Sequence, residues 1–358
     1  MRRVVQRCGR MESLGIEAAA AVGPATCLAW IEATPPAVTS CTRETADAGA
    51  VIRNASVMEL IPSSVEGILM PERAFARWRN EASVRAHSSV LVHRAAMPTV
   101  TAAAADHPWL VVQQRFLIPA EVARAQGLRD DSPVTRALTK GLVSDRQAVS
   151  MLGNAIHAGV ARLVLGAAIK LCAELRRVPF PATNRRYASC FSGVDTFAEA
   201  FDEMCGPEWE YVAASENDPA TTRVLLEAWG CRGLSAGRVA TSALAPPAWG
   251  TGTGAHLWVC SPECVAWSKR AREKDVEAQR MELRNIVAAM AYARARKPLV
   301  VILEGVNDRD FVGAVSRLLH ASYSSTEYEW RAQMVDSFEH AGVPVHRERW
   351  FAVGVRTA

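Results

Sequence analysis

From Arg186 to the end of the chain, short β-rich runs alternate with helical stretches, and this alternation restricts the possible folds more than any other feature. The candidate strands are Tyr187–Ser192, Tyr211–Ser215, Arg238–Thr241, His256–Cys260, Pro298–Leu303 and Trp350–Val355. Helices are expected from about Thr196, through Val224–Leu226, over Asp275–Arg294 and through Phe311–Leu319. Pro298–Leu303 is a continuous apolar run, which a strand covered on both faces requires. Such spacing predicts an α/β fold with a doubly wound, mostly parallel sheet. Ligands of these sheets bind beyond the carboxyl ends of the strands, so the residues just after each strand are the candidates for function.

Upstream, Met151, Ile156, Val160, Leu163 and Leu165 recur at three- and four-residue spacing, which predicts one largely buried helix over Ser150–Arg176. Residues 1–105 form a small N-terminal region of weak periodicity, rich in Ala, Val, Ser and Pro. Within it, between positions 73 and 94, Arg73, Arg77, Arg79, Arg85 and Arg94 stand against the single acid Glu81. Over all 358 residues, 41 Lys and Arg against 37 Asp and Glu leave a net charge of +4, too mild to indicate nucleic acid by itself. With 49% hydrophobic and 22% charged residues, a disordered, collagenous or coiled-coil chain is excluded. The nine cysteines are scattered and odd in number, which favours reduced thiols over a disulfide framework. The most apolar N-terminal stretch, Leu14–Ile31, contains Glu17 and Pro24 and falls short of the ~20 apolar residues of a membrane span. Arg2, Arg3, Arg7 and Arg10 precede it, but Glu12 and Glu17 break the pattern of a leader. The expectation is a soluble intracellular protein with no membrane span.

After the first strand comes Phe191-Ser192-Gly193-Val194-Asp195-Thr196-Phe197. A glycine between strand and helix suits either close approach of a ligand or a tight packing turn. Glu216 follows the second strand at the spacing from which an acid can hold ribose hydroxyls, although a helix-capping acid would look the same. Cys260-Ser261-Pro262-Glu263-Cys264 places cysteines where a nucleophile, a metal ligand or a buried filler could stand. No second Cys/His pair lies at zinc-site spacing. Glu304 follows a buried strand, where a carboxylate is costly unless paired or functional. Arg347 and Arg349 lead into the last strand and by alternation share a face.

In order and spacing, Phe191-x-Gly193, Glu216, Pro262-x-Cys264-x-x-x-Ser268, Leu303-Glu304-x-Val306 and Gly342-Val343-Pro344-x-x-Arg347-Glu348-Arg349 resemble the C5-cytosine DNA methyltransferase family. Two further blocks resemble motifs that normally close that family's sequence but here come first. They are Arg115-Phe116-Leu117 through Glu121 to Gln126-Gly127, and Leu152-Gly153-Asn154-Ala155-Ile156. The resemblance covers roughly residues 97–358 and implies a circular permutation, tolerated where the original termini lie close together. It implies a Rossmann-like methyltransferase catalytic domain over 106–358, with 106–185 holding the permuted C-terminal motifs and 186–358 the core sheet. The target-recognition segment would then fall in 1–105, ending near Thr99 in Pro98-Thr99-Val100-Thr101.

The resemblance further implies S-adenosyl-L-methionine as cofactor, double-stranded DNA as partner with RNA left open, a monomer, and residence in the nucleus or nucleoid. Cys264 would be the nucleophile, Glu304 would contact the base, and Arg347 and Arg349 would hold base oxygen and phosphate. Phe191, Gly193, Val194, Glu216, Asn154 and Ala155 would form the cofactor pocket, and Arg73, Arg77, Arg79, Arg85, Arg94 and Thr99 would contact nucleic acid. Glu263 stands where the family has a proline, Gly305 where it has an asparagine, and Asp195 and Thr196 where it has glycines. No acid follows Val239-Ala240-Thr241 to meet an adenine amine. These departures favour the alternative of a degenerate relative that binds without turnover; RNA cytosine-5 methylation is the other alternative.

Overall fold

A computed structural model describes residues 12–17, 69–71, 108–110, 115–176, 179–241, 254–262, 265–267, 275–322, 327–341 and 347–357. In chain order its elements are β1 (Leu69–Pro71), β2 (Pro108–Leu110), β3 (Arg115–Phe116), α1 (Pro119–Ala125), α2 (Pro133–Thr139), α3 (Asp145–Asn154) and α4 (Ala158–Arg176). There follow β4 (Arg185–Cys190), α5 (Thr196–Cys205), β5 (Trp209–Ser215), α6 (Pro219–Trp229), β6 (Val239–Ala240) and β7 (Leu257–Cys260). The chain continues with α7 (Val276–Arg296), β8 (Val300–Val306), α8 (Arg309–Ser322), β9 (Tyr328–Asp336), α9 (Ser337–Ala341) and β10 (Glu348–Arg356).

Seven strands form one sheet in the order β6-β5-β4-β7-β8-β10-β9, and β1, β2 and β3 form a separate antiparallel sheet. In the large sheet β4 pairs parallel with β5 and β7, β5 with β6, and β7 with β8, while β10 runs antiparallel between β8 and β9. The doubly wound, mostly parallel sheet expected from the sequence is therefore present. β8 is buried along its whole length. Its side chains alternate between two cores: Val300 and Ile302 join the cluster containing Val164, Leu165 and Phe201, and Val301 and Leu303 join that containing Ile286, Met290 and Phe311. Helices α4 and α5 thus cover one face and α7 and α8 the other. Each fully buried Ile, Leu or Phe side chain contributes roughly 1.5–3 kcal/mol.

Four local expectations are corrected. The single helix over Ser150–Arg176 is two, because Ala155 takes an extended conformation (φ −64°, ψ 149°) and ends α3 after Gly153-Asn154, residues of low helix propensity. The amide of Ala158 then donates to the Gln126 carbonyl at 2.8 Å as α4 begins. The stretch Asp145–Arg176 is long and apolar enough to cross a membrane, contrary to the sequence expectation, but 61% of its most apolar window is buried inside the fold as core helix. β8 extends through Val306, so Glu304 lies within the strand rather than after it. Finally, β9 escaped the reading because Glu329, Arg331 and Gln333 interrupt its apolar pattern. Those polar residues suit an edge strand. Residues 12–17 lie along that edge: the Ala332 amide donates to the Glu12 carbonyl at 2.8 Å, and the Gln333 side chain donates to the Ile16 carbonyl at 2.7 Å and accepts from its amide at 3.0 Å.

Candidate active site

The parallel register brings the ends of β4 and β7 level with Leu303, inside β8. Cys190 of β4 pairs with Cys260 of β7, and Cys260 pairs with Leu303 of β8. Phe191, Ser261 and Glu304 each follow by one residue, so Phe191 and Ser261 lie just past the ends of β4 and β7, and Glu304 lies beside them two residues short of the end of β8. The outer two are separated by two strand spacings, about 10 Å.

The β4–α5 loop begins at Phe191. Phe191, Gly193 and Asp195 have φ of 56°, 56° and 55°, a left-handed conformation at alternate positions that costs a non-glycine residue about 1–2 kcal/mol. Asp tolerates it better than most, and the Asp195 carboxylate accepts the Ala198 amide at 3.0 Å, capping α5. An acid can therefore occupy a position where the family resemblance implies glycine. Among the described residues, a Cβ on Gly193 would meet nothing within 4 Å. The Gly193 amide donates to Glu216 Oε2 at 2.8 Å, and Glu216 Oε1 accepts the Asp218 amide at 2.9 Å. Burial pushes the Glu216 carboxyl above the usual range, against these two amides, which pull it down. Val194 is buried beneath the loop and Phe191 packs half-buried on the second core.

Two strands away, Glu304 is 5% exposed, and Arg349 Nε lies 3.0 Å from its Oε1. Burial raises the Glu304 carboxyl, opposed by the guanidinium charges of Arg349 and Arg347. The glycine that follows it has a physical cause. A Cβ on Gly305 would lie 2.0 Å from Phe311 Cε1 and 2.5 Å from Cζ, and the Phe311 ring is buried between Trp267 and Trp350 with centroids at 5.9 and 6.4 Å. Phe311 fills the volume an asparagine side chain would need.

Arg347 and Arg349 have different partners. Arg347 precedes β10, is buried, and donates through Nη1 to the Gly153 carbonyl at 2.9 Å and through Nη2 to that of Asn154 at 3.4 Å. A cation on the last carbonyls of α3 is favourable for both the unsatisfied oxygens and the helix dipole. The Gln126 side chain donates to the neighbouring Leu152 carbonyl at 2.8 Å. The two N-terminal motif blocks and the Arg347 segment are thus tied together across 194 positions of sequence. Asn154 is exposed at this junction and Ala155 is buried.

No family model matches this chain, and no curated protein sequence does. Solved structures align with part of it. The S. pombe Dnmt2 methyltransferase does so with a TM-score of 0.35 and 16% identity over 49% of this chain and 52% of that one. TrmN from Thermus thermophilus gives 0.34 and 16% over 55% and 48%. The human methyltransferase 10 domain containing protein gives 0.36 and 10% over 55% and 83%. The match spans about half the length of the first two structures.

Cys264 and Glu263 lie outside the described residues, as do Arg73, Arg77, Arg79, Arg85, Arg94 and Thr99. The segment after Cys264 is anchored by the Ala266 amide, which donates to Glu282 Oε1 at 3.0 Å. Sequence reading missed the polar residues under the loop. Tyr187 donates to Asp195 Oδ1 at 2.7 Å, Tyr211 donates to Oδ2, and Ser189 bonds both the Tyr211 hydroxyl and, at 2.6 Å, Ser192. Tyr187 and Tyr211 are register partners on adjacent strands, a signal that could have been seen only once the pairing was known.

Proposed function

We propose that this chain is an S-adenosylmethionine-dependent methyltransferase acting on C5 of cytosine in DNA, with Cys264 as covalent nucleophile. The observation that carries the reading is the register of Cys190, Cys260 and Leu303, which brings the β4–α5 loop and the buried Glu304 carboxylate to one level of the sheet, two strands apart. The loop suits a nucleoside-bearing sulfonium: no described residue lies within 4 Å of a Cβ position on Gly193, and the Glu216 carboxylate already holds the Gly193 amide and can accept ribose hydroxyls. Phe191 would pack by the adenine, with Val194, Asn154 and Ala155 closing the pocket. When bound, the sulfonium supplies an electrophilic methyl group.

Cytosine C5 is a weak nucleophile until a thiolate adds to C6. Cys264 adds there, C5 takes the methyl group, and loss of the C5 proton restores the ring double bond and expels the cysteine. Glu304 hydrogen-bonds N3 and the exocyclic amine as charge develops on the ring, and Arg349 orients Glu304 while facing the base oxygen. Arg347 works at one remove, holding the Gly153-Asn154 block against the sheet. The base must leave the stack to be reached, at a cost of a few kcal/mol. Arg73, Arg77, Arg79, Arg85, Arg94 and Thr99 would contribute phosphate contacts, which position the protein without reading sequence. In this reading residues 106–185 are permuted C-terminal motifs, 1–105 carry target recognition, and the site of action is the nucleus or nucleoid.

The test is product analysis. DNA incubated with the protein and S-adenosylmethionine should yield 5-methyl-2′-deoxycytidine on digestion and mass spectrometry. Methylation of cytosine in RNA alone would move the substrate, and methyl transfer to any other atom would overturn the assignment. Within the same assay, Glu216→Ala is expected to raise the cofactor KM about 10-fold or more, since hydrogen bonds to a charged acceptor contribute roughly 1.5–3 kcal/mol. An unchanged KM would remove Glu216 from the pocket.

A further inference from the structure

The geometry points to Asp195 as a positioning residue that fixes the β4–α5 loop from beneath, through the phenols of Tyr187 and Tyr211. The role rests on the proposed reading of that loop as the methyl-donor site. Loop residues 191, 193 and 195 all hold left-handed backbone, and a loop in a costly conformation persists only where its surroundings over-determine it. Here the surroundings can be named. The Asp195 carboxylate is buried and accepts Tyr187 at 2.7 Å, the Ala198 amide at 3.0 Å, and Tyr211.

The donors form one ordered chain. With Tyr211 donating to Asp195, its oxygen accepts from Ser189; Ser189 in turn accepts from Ser192, whose Oγ accepts the Ser215 amide at 3.2 Å. The Ser192 amide donates back to the Ser215 carbonyl at 2.8 Å, tying the loop to β5 twice. The phenols themselves cannot drift. Tyr187 and Tyr211 meet edge-to-face at 5.0 Å, and Phe201 and Trp209 flank Tyr187 at 5.6 and 5.7 Å. The network ends one residue from Gly193, whose amide holds Glu216. Releasing Asp195 should therefore loosen Gly193 and Glu216 without touching the reacting atoms.

The test uses Asp195→Gly, Asp195→Asn, Tyr187→Phe and Tyr211→Phe in the full chain. Glycine keeps the left-handed backbone free of strain while removing the acceptor, so it separates backbone tolerance from the clamp. Asp195→Gly is expected to weaken S-adenosylmethionine about 10-fold by calorimetric titration, each Tyr→Phe about 5-fold, and Asp195→Asn about 3-fold, because asparagine keeps one acceptor. The cofactor KM should rise while kcat at saturating cofactor holds, and amide exchange over 191–195 should quicken. Variants that bind, turn over and exchange like the parent would overturn the clamp. Quickened exchange in variants of a parent that takes no S-adenosylmethionine would support the clamp and overturn the donor-site reading, which keeps the two failures apart.

Discussion

Glu304→Gln is expected to lower methyl transfer at least 100-fold while leaving the melting temperature within a few degrees. The carboxylate sits at the level of the β4–α5 loop, with Arg349 Nε 3.0 Å from its Oε1. A positioned proton donor or acceptor contributes roughly 10²–10⁴ in rate, and glutamine keeps the shape but cannot exchange the proton. Stability should follow the opposite sign. Burial holds the Glu304 carboxyl above its unfolded value, more than Arg349 and Arg347 lower it. A group shifted in that direction contributes stability at low pH that is lost as pH rises through its folded-state pKa. Glutamine has no such loss, so the variant should match or exceed the parent in stability at neutral pH. Arg349 keeps the Glu348 carbonyl at 2.8 Å as an acceptor. Activity within tenfold of the parent would remove Glu304 from the chemistry; a large fall in melting temperature would show that the ion pair is structural.

Gly305→Asn is expected to destabilise the protein by about 1–3 kcal/mol or more, the usual cost of overpacking a filled core. The first added carbon would overlap the Phe311 ring at 2.0 Å, and that ring is fully buried between two tryptophans. Differential scanning calorimetry of the single variant and of Gly305→Asn with Phe311→Ala reads the coupling directly. The second change should recover part of the loss, because contacting residues are non-additive. An unaltered melting temperature in the single variant would mean that Phe311 gives way freely, and the glycine would then need another explanation.

This pair of neighbours illustrates how far the sequence could be read. The apolar run Leu299–Leu303 announced a doubly covered strand, and the alternation of strands and helices announced the sheet. Glu304 and Glu216 could be singled out because an acid at the end of a buried run has few reasons to be there. Gly305 looked like a loss, since the residue that compensates it, Phe311, is six positions on and meets it only after α8 folds over β8. Asp195 looked like a second loss for the same reason: its partners, Tyr187 and Tyr211, come from two strands whose register no local pattern reveals. β9 was hidden because an edge strand satisfies one side with polar residues, and its cover is the distant segment 12–17. The break between α3 and α4 was hidden because apolar periodicity runs through it unchanged. Local periodicity reported local elements; what depended on contacts across tens or hundreds of residues did not register.

The central claim is that the Cys264 sulfur attacks C6 of an extruded cytosine. Incubating the protein with S-adenosylmethionine and a duplex oligonucleotide carrying 5-fluorocytosine, which cannot lose its C5 substituent as a proton, should leave a covalent complex stable to denaturing electrophoresis. That complex should be absent with Cys264→Ser and should map to Cys264 by peptide mass. An adduct on another residue, or methylated product from the Cys264→Ser protein, would contradict the account.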